Sequence, residues 1–360
     1  MRIGINAALV GASAGYRQTG ISRYISELIA SLQDELAPSD ELVLLGTESA
    51  ALAEKPQVRI AWEQTVLPLF ARRQHLDVLH GPMSVVPYVP GVGRVTTVHD
   101  LAFVKFPHHV ARARRTYLVA GTRLSAKTAD RIITVSQQTA DDLMAWLKIP
   151  AKKIEVIPLA PSPKIQPVEG TSLHVFQMKA EITKPYILAV GTLEPRKNIP
   201  FLLQVFASLK HEIPHDLVLV GPEGWLTGPL HDTLTRLGLG DRVRLTGFVT
   251  DEELGAWYSG ADLFAFPSTY EGFGLPTVEA MRCGAPVLTS NTSCFPEIVG
   301  DAGVMEAPND LPGWRLAIRE LTTDRARRDE LIARGRERAA QFSWQRTAQE
   351  TLRVYREVAR

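Results

Sequence analysis

Two glutamates flank a glycine-rich segment of the chain. Their residue type and spacing are the clearest indication in the sequence of a ligand-binding or catalytic site. Within residues 270–281, Glu271 precedes two glycines and Glu279 follows eight positions later. Pro276 suits the first turn of a helix and Gly284 its end, so backbone N–H groups at the helix start could bind an anion. Because carboxylates accept hydrogen bonds from vicinal hydroxyls, the two glutamates could hold a sugar and a ribose on either side of a diphosphate. An ordinary capped helix with solvated glutamates would show the same pattern.

A second candidate element follows an apolar strand. The run Tyr186–Val190 leads into residues 191–198, which include the adjacent cations Arg196 and Lys197. Ligands bind at the carboxyl ends of strands in open parallel sheets, and two adjacent cations there could neutralise a diphosphate. Asn198 is predicted to cap the helix that follows. Solvated loop charges are the alternative interpretation.

Glycines also follow neighbouring strands. Gly191 ends the strand just described, Gly221 follows the run 217–220, and Gly247 with Phe248 follows the run 243–245. A glycine lets the backbone adopt conformations and close approaches that a side chain would prevent. The repeated arrangement predicts that several strand ends converge on one binding cleft.

The elements that must position these residues alternate between apolar strands and amphipathic helices. Continuous apolar strands separated by helices predict parallel sheets in an α/β protein. Recurring prolines and weak periodicity at 158–185 predict a connection between two domains. We therefore expect domains at residues 1–165 and 166–343, with a C-terminal helix at 344–360 that packs back on the first. The predicted strands include 3–9, 42–45, 77–79, 95–98, 131–135, 154–157, 186–190, 217–220, 243–245 and 263–266.

Composition narrows the functional classes. The chain has 360 residues, 45% hydrophobic content and a formal net charge of +1, which suits two domains and does not call for a nucleic-acid partner. Its two cysteines, Cys283 and Cys294, form no CxxC pair, which argues against a disulfide framework or zinc site and fits a cytoplasmic protein. We predict no signal peptide and no membrane span. Neither GxGxxG nor GxxxxGK[ST] occurs.

With the loop 191–198, the Gly247 turn and the segment 271–279 in this order, the chain closely resembles the family-4, or group 1, glycosyltransferases of the GT-B fold. The resemblance covers nearly the whole chain and is most specific in the second domain. In the first it involves a glycine loop near Gly20 and the segments 98–103 and 134–136. It implies two Rossmann-like α/β domains that face each other across a cleft. It also implies a retaining transfer of a sugar from a nucleotide-diphosphate donor, without a bound metal or other cofactor.

The resemblance assigns roles to individual residues. Arg196 and Lys197 would hold the donor diphosphate and stabilise its developing charge. Glu271 would face the donor sugar, Glu279 would bind the ribose diol, and His99 would lie near the reacting sugar. Asp100 would either position the acceptor or cap the following turn. The remaining donor-side residues are Gly20, Gly191, Gly221, Gly247, Phe248, Gly272, Phe273, Gly274 and Leu275.

The resemblance leaves the substrates open. The His-Asp-Leu-Ala-Phe sequence at 99–103 looks most like bacterial mannosyltransferases of polysaccharide or O-antigen assembly, which implies a GDP-mannose donor and a saccharide or lipid-linked acceptor. A UDP-sugar donor, another GT-B enzyme such as a 2-epimerase or phosphorylase, and a catalytically silent sugar-nucleotide-binding subunit are alternatives. Two basic clusters could make peripheral contact with the inner membrane face, or could be solvated helix surfaces. They are Arg112, Arg114 and Arg115, and Arg325, Arg327 and Arg328.

Overall fold

The computed structural model describes residues 1–10, 20–48, 50–107, 112–222 and 227–360. The chain divides into two compact units, of which the first contains residues 1–159 and 343–360 and the second contains residues 160–342. The predicted glycine loop before Gly20 lies outside the described ranges.

The first unit is built on a parallel sheet. In the described ranges its six strands run in the order β2-β1-β3-β4-β5-β6, and helices connect them. The strands are β1 (Arg2–Asn6), β2 (Glu41–Leu45), β3 (Val78–Gly81), β4 (Gly93–Val98), β5 (Arg131–Thr134) and β6 (Ile154–Val156). The helices are α1 (Gly20–Glu35), α2 (Ala50–Glu54), α3 (Pro56–Arg73), α4 (Ala102–Lys105), α5 (Arg112–Thr128) and α6 (Gln137–Leu147).

The second unit repeats this plan. Its sheet, in the part described, has six parallel strands in the order β12-β11-β10-β7-β8-β9. The strands are β7 (Tyr186–Val190), β8 (Asp216–Val220), β9 (Val243–Gly247), β10 (Leu263–Phe266), β11 (Val287–Ser290) and β12 (Val304–Glu306). The helices are α7 (Gly170–Lys179), α8 (Ile199–Leu209), α9 (Thr227–Leu237), α10 (Asp251–Ser259), α11 (Leu275–Cys283), α12 (Phe295–Val299), α13 (Leu311–Thr323) and α14 (Arg325–Ala340). The α/β class predicted from the sequence is confirmed.

Buried apolar faces hold the helices on the sheets. In α1 the residues Tyr24, Ile25, Leu28 and Leu32 are buried, and their spacing of three and four positions places them on one helical face. In the second unit, strand side chains pack with α8 and α13 in a core that includes Phe206 and Trp314, whose side chains are buried. Burying one large apolar side chain contributes roughly 1.5 to 3 kcal/mol.

The last helix, α15 (Trp344–Val358), belongs to the first unit, where it packs on α1 and β4. A Cβ atom at Gly93 would lie 2.1 Å from the Val358 carbonyl oxygen, so this approach requires glycine. Tyr355 contacts His80 Nδ1 through its hydroxyl at 2.6 Å, and His80 Nε2 lies 2.8 Å from Thr97 Oγ1. These buried hydrogen bonds join α15 to β3 and β4.

Local features differ from the sequence prediction in three places. The first strand ends at Asn6 rather than at residue 9, because the chain turns there and Val10 N–H donates to the Ala7 carbonyl. The stretch 158–185 was predicted to be a connection between two domains, but it contains α7. Leu173 and Phe176 of this helix are partly buried whereas Val175 and Met178 are exposed, so apolar residues are not confined to one face and the helical periodicity is weak. Asn198 precedes α8, yet its side chain donates to the Pro308 carbonyl rather than capping that helix.

No helix in the described ranges has both the length and the apolar character needed to cross a membrane.

Candidate active site

The strand order of the second unit locates the site. Strands β7 and β10 are neighbours, but β8 and β9 continue on one side of the pair and β11 and β12 on the other. The loops that leave β7 and β10 therefore diverge, and this reversal of strand order is where open parallel sheets bind ligands. Residues 191–198 leave β7 and residues 267–274 leave β10, so both predicted elements lie at this position.

Glycines allow the strand ends to lie close together. Gly191 and Gly221 have φ angles of 141° and 142°, a region that is essentially restricted to glycine. A Cβ atom at Gly221 would lie 2.3 Å from the Gly191 carbonyl oxygen, and Gly221 N–H donates to the Gly247 carbonyl at 2.9 Å. Gly247 also has a positive φ, of 70°. The three predicted glycines are thus stacked along adjacent strand ends.

Arg196, Lys197 and Glu271 form one charged cluster. Arg196 Nη1 lies 2.5 Å from Glu271 Oε2, and Lys197 Nζ lies 2.6 Å from Glu271 Oε1. Ser268 Oγ donates to Glu271 Oε1 at 2.6 Å and also lies 3.1 Å from the Arg196 carbonyl oxygen. Arg196 has a second acidic partner in Glu194, at 3.0 Å. The sequence predicted these residues for one site but did not predict their direct pairing.

The cluster fixes the charge of Glu271. Burial alone would raise the pKa of this carboxyl group, but the Arg196 and Lys197 cations and two hydrogen bonds outweigh burial and bring the pKa to about 2. Burial lowers the pKa of Lys197, and Glu271 opposes this effect. The Lys197 ammonium also lies 4.6 Å from the centre of the Phe266 ring, a distance at which cation–π attraction operates. At neutral pH, Glu271 is therefore an ionised hydrogen-bond acceptor and is not a proton donor.

Helix α11 positions the second glutamate. It begins after Gly274, which has a φ of 77°, and ends before Gly284, which is also left-handed. Glu279 is only 2% exposed, and its Oε2 accepts a hydrogen bond from the Tyr258 hydroxyl at 3.0 Å. Tyr258 lies on α10 and thus orients the carboxylate that the resemblance assigns to ribose.

The other residues predicted to bind the donor differ in how far they are buried. Gly272 and Gly274 are buried, and Leu275 is partly buried. The Phe273 ring is buried and packs edge-on against Phe342 at 5.5 Å, so this side chain supports the loop from within the unit. Phe248 is 51% exposed on the turn after β9.

The predicted residues of the first unit lie at the end of β4. The ring of His99 packs edge-on against Tyr24, with 4.7 Å between centroids. His99 Nε2 lies 2.9 Å from the Pro82 carbonyl oxygen and must donate to it, which leaves Nδ1 as an acceptor. Burial lowers the pKa of His99, so the ring is neutral at pH 7. Asp100 Oδ1 accepts from the Ala102 N–H at 2.9 Å, so its side chain caps the following turn, which is one of the two roles considered for it.

Gly20 is the first residue of α1. It is exposed, and a Cβ atom there would meet no atom within 4 Å. Among the described residues, packing would therefore allow a side chain at this position.

Sequence reasoning missed two residues that hold these side chains in place. Ser268 contacts both the carboxylate of Glu271 and the backbone of Arg196, and Tyr258 contacts Glu279. Ser268 lies three residues before Glu271, at a strand end where polar side chains commonly line a site, so its position was a usable signal. Tyr258 lies 21 positions before Glu279, and no sequence spacing indicates this contact.

Among the described residues, no group of three or more His, Cys, Asp or Glu side chains is arranged to hold a metal ion. The charged groups that do lie together at the β7 and β10 strand ends are two cations and two carboxylates. This arrangement can bind an anionic group at the cations and a hydroxyl-bearing group at a carboxylate.

Comparison with known proteins agrees with this chemistry. The family described as Glycosyl transferases group 1 matches residues 174–338, and that described as Glycosyltransferase Family 4 matches residues 20–160. O-antigen chain mannosyltransferase B of Escherichia coli is 33% identical to this chain over 371 residues, which cover 95% of this chain and 97% of that protein. The predicted likeness to bacterial mannosyltransferases of O-antigen assembly is thus confirmed.

Solved structures show the same fold. Sucrose-phosphate synthase of Thermosynechococcus elongatus superposes with a TM-score of 0.77 at 22% identity, covering 99% of this chain and 98% of that one. HepE of Anabaena, solved with UDP and glucose, gives a TM-score of 0.72 at 18% identity and covers 99% and 100% of the two chains. Together with the family matches, these similarities show that the chain belongs to the group 1, family 4 glycosyltransferases and has the GT-B fold.

Proposed function

We propose that this glycosyltransferase moves a mannosyl group from GDP-mannose to a saccharide or lipid-linked saccharide, with retention of anomeric configuration and without a bound metal. The mannosyl assignment is supported by the similarity to O-antigen chain mannosyltransferase B over nearly the whole of both chains. The observation that carries the chemistry is the pairing of Arg196 and Lys197 with Glu271 where the strand order reverses.

Arg196 and Lys197 bind the donor diphosphate in this proposal. Transfer breaks the bond between the sugar C1 and a phosphate oxygen, so negative charge grows on the leaving nucleoside diphosphate. Two cations held in place before the reaction stabilise that charge, with little reorganisation as it develops. Arg196 is held by Glu194 and Glu271, and Lys197 is buried against Phe266. The proposed metal independence follows from assigning this charge stabilisation to the two side chains.

Glu271 binds the sugar rather than attacking it. With a pKa of about 2 the carboxylate is ionised at neutral pH, so it accepts hydrogen bonds from sugar hydroxyls and supplies no proton. Its oxygens are engaged by two cations and a serine hydroxyl, which reduces its nucleophilicity. The acceptor hydroxyl therefore attacks C1 on the face that the diphosphate leaves, and its proton passes to a phosphate oxygen of the leaving group.

The remaining groups of the site bind and orient the substrates. Glu279, held by Tyr258, accepts hydrogen bonds from the two ribose hydroxyls. Backbone atoms at Gly191, Gly247 and the start of α11 approach the phosphates and the sugar, as does Gly20. Neutral His99 accepts a hydrogen bond from a sugar hydroxyl through Nδ1. Asp100 contributes through the backbone turn that it caps.

A UDP-sugar donor is the second candidate, because HepE, which shares the fold, was solved with UDP and glucose. A silent sugar-nucleotide-binding subunit would bind a donor without transferring its sugar. A thermal-shift panel of GDP, UDP, ADP, GDP-mannose, UDP-glucose and UDP-N-acetylglucosamine separates the donors, since ligands that bind the folded state raise its apparent stability. We expect the largest shift with GDP and GDP-mannose.

The panel is repeated with Glu279→Ala and with Glu252→Ala as a matched control. Glu252 is exposed on α10, and within the described ranges it forms no hydrogen bond or ion pair with the proposed site residues. A guanine-selective shift that weakens only in Glu279→Ala supports the proposed donor site, whereas no shift with any nucleotide would contradict the donor assignment. Transfer to lipid-linked and free saccharides, with the product anomer assigned by NMR and with EDTA present, then tests turnover, retention and metal independence.

A lipid-linked acceptor would bring this cytoplasmic reaction to the inner membrane face. On α14, Arg325 and Arg327 lie 3.8 and 2.6 Å from Asp329 and Glu330, so acidic neighbours offset that basic cluster. The start of α5, at Arg112, is therefore the stronger membrane candidate. Binding of the protein to anionic vesicles, with Arg112→Glu as the variant and Arg325→Glu as the control, tests this contact.

A further inference from the structure

Ser293 has a backbone conformation that favours glycine. It lies between β11 and α12 with a φ of 59°, in the left-handed region that non-glycine residues adopt uncommonly. Such conformations persist where the surroundings hold them, and they cluster at functional sites. Glycine would adopt this conformation without the steric cost, so the side chain of Ser293 requires an explanation.

The side chain of Ser293 ties together both backbone polar groups of Glu271. Its hydroxyl accepts from the Glu271 N–H at 3.0 Å and donates to the Glu271 carbonyl at 2.8 Å. Because both bonds reach the same residue, they restrict rotation of the Glu271 backbone as well as its position. Ser268 meanwhile holds the carboxylate of Glu271 at 2.6 Å. Glu271 is thus fixed at its backbone and at its side-chain end by two different serines.

The start of the following helix, α12, lies against the other end of the glycine-rich segment. Its first residue, Phe295, follows Ser293 by two residues, and a Cβ atom at Gly274 would lie 2.9 Å from Phe295 Cε1. Ser293 and Phe295 therefore lie against the segment 271–274 at its first and last residues. Since β10 and β11 are adjacent in the sheet, the loop after β11 is built on a rigid element.

We propose that Ser293 is a positioning residue for sugar transfer, which sets the orientation of the Glu271 carboxylate toward the donor sugar. The inference rests on the proposed function, because it needs Glu271 to contact that sugar. The hydroxyl compensates for the unfavourable backbone of Ser293 by satisfying two polar groups of Glu271. Without it, the Glu271 peptide groups lose a shared partner and the carboxylate is no longer held in one orientation.

Two substitutions separate this role from a structural one. Ser293→Gly removes the hydroxyl and relieves the backbone, whereas Ser293→Ala removes the hydroxyl and keeps the unfavourable φ. Both should lower kcat for sugar transfer by about 10-fold to 100-fold, since small misplacements of reacting groups have effects of this size. The donor KM should change much less than kcat. The melting temperature should be higher for the glycine variant than for the alanine variant.

Ser259→Ala is the matched control. Ser259 Oγ donates to the Gly255 carbonyl at 2.8 Å and accepts from the Val168 N–H at 3.0 Å, so it also joins two backbone groups in the second unit. We expect this variant to melt at a lower temperature while its kcat stays at the wild-type value. Equal kcat loss in both Ser293 variants, despite their different melting temperatures, would support the positioning role.

The outcomes distinguish this inference from the function on which it rests. Wild-type kcat in the two Ser293 variants, measured per folded enzyme, would overturn the positioning role and leave the proposed transferase intact. A kcat loss that follows melting temperature in all three serine variants would also overturn it, because the effect would then be structural. A wild-type protein that transfers no sugar from any donor would overturn the proposed function, and this inference with it.

Discussion

Replacing Glu271 with glutamine removes the negative charge that lies between two cations and leaves the size of the side chain nearly unchanged. The side chains of Lys197 and Glu271 are each only 9% exposed. Removing one partner of a buried ion pair costs about 3 to 5 kcal/mol, because the remaining charge is left without compensation. At roughly 2 to 4 °C per kcal/mol for a unit of this size, the melting temperature should fall by about 6 to 20 °C.

The sign of the pH dependence follows from Lys197. In the variant its folded-state pKa is lowered further by burial, since the opposing effect of Glu271 is gone. The destabilisation of the variant is therefore largest at pH values below the lowered pKa of Lys197. It disappears as the pH rises above the pKa that Lys197 has in the unfolded state. The stability gap between wild type and variant should narrow in alkaline buffer, as followed by circular dichroism during thermal unfolding.

Nucleoside diphosphate should restore part of the lost stability. Two charges about 4 Å apart interact with about 4 kcal/mol at a dielectric constant near 20, so a bound phosphate can replace the missing carboxylate. GDP should therefore raise the melting temperature of Glu271→Gln more than that of the wild type, although sugar transfer is lost. Glu194→Gln is the control, because Glu194 is 34% exposed beside the same Arg196 and such pairs contribute at most about 1 kcal/mol. Equal melting temperatures and equal GDP shifts in wild type and Glu271→Gln would refute this account of the cluster.

Three further predictions concern stability and nucleotide binding. Because its folded pKa is lowered from 4.5 to about 2, Glu271 should contribute about 3 kcal/mol above pH 4.5 that is lost as the pH falls toward 2, and acid titrations of wild type and Glu271→Gln should differ by this amount. Gly221→Ala should destabilise the protein by at least about 3 kcal/mol, because an added Cβ would lie 2.3 Å from a carbonyl oxygen at a glycine-only φ. Gly247→Ala, which has open space, should cost only about 1 to 2 kcal/mol in the same denaturant titrations. Tyr258→Phe should destabilise the protein by about 1 to 3 kcal/mol and weaken GDP binding in calorimetry, since buried Glu279 loses a hydrogen-bond donor. Unchanged GDP affinity would contradict the proposal that Glu279 binds the nucleotide.

Sequence patterns predicted the strands because buried parallel strands are continuous apolar runs between turn residues. The run Tyr186–Val190 is a strand with these bounds, and the start and end of α11 follow the predicted Pro276 and Gly284 signals. Sequence patterns did not predict helix α7. Its apolar residues occur both on the partly buried face, as Phe176 does, and on the exposed face, as Met178 does, so the sequence lacks the one-sided periodicity of a typical surface helix.

The site was predictable as a set of residue types at strand ends, but its internal contacts were not. Whether Lys197 meets Glu271 depends on which strands are neighbours, and the order β10-β7 joins elements that are separated in sequence by two strands. The φ of Ser293 likewise has no sequence signal, because serine does not indicate a left-handed backbone as glycine does. Sheet order and local backbone geometry therefore supplied the information that spacing lacked.

The charged cluster is not an efficient way to stabilise the second unit. Buried ion pairs often contribute no more than apolar residues of similar volume, because desolvation offsets their attraction. Strand ends in this sheet also carry buried apolar side chains, such as Val220 at the end of β8 and Phe266 at the end of β10, so an apolar solution was physically accessible here. A cluster of two cations and a carboxylate, with Ser268 holding the carboxylate and Ser293 holding the backbone of the same glutamate, instead suits the proposed transfer of a sugar from a diphosphate. The fold thus bears the desolvation cost of burying Arg196, Lys197 and Glu271, and these are the side chains to which the proposed reaction assigns binding of the diphosphate and the sugar.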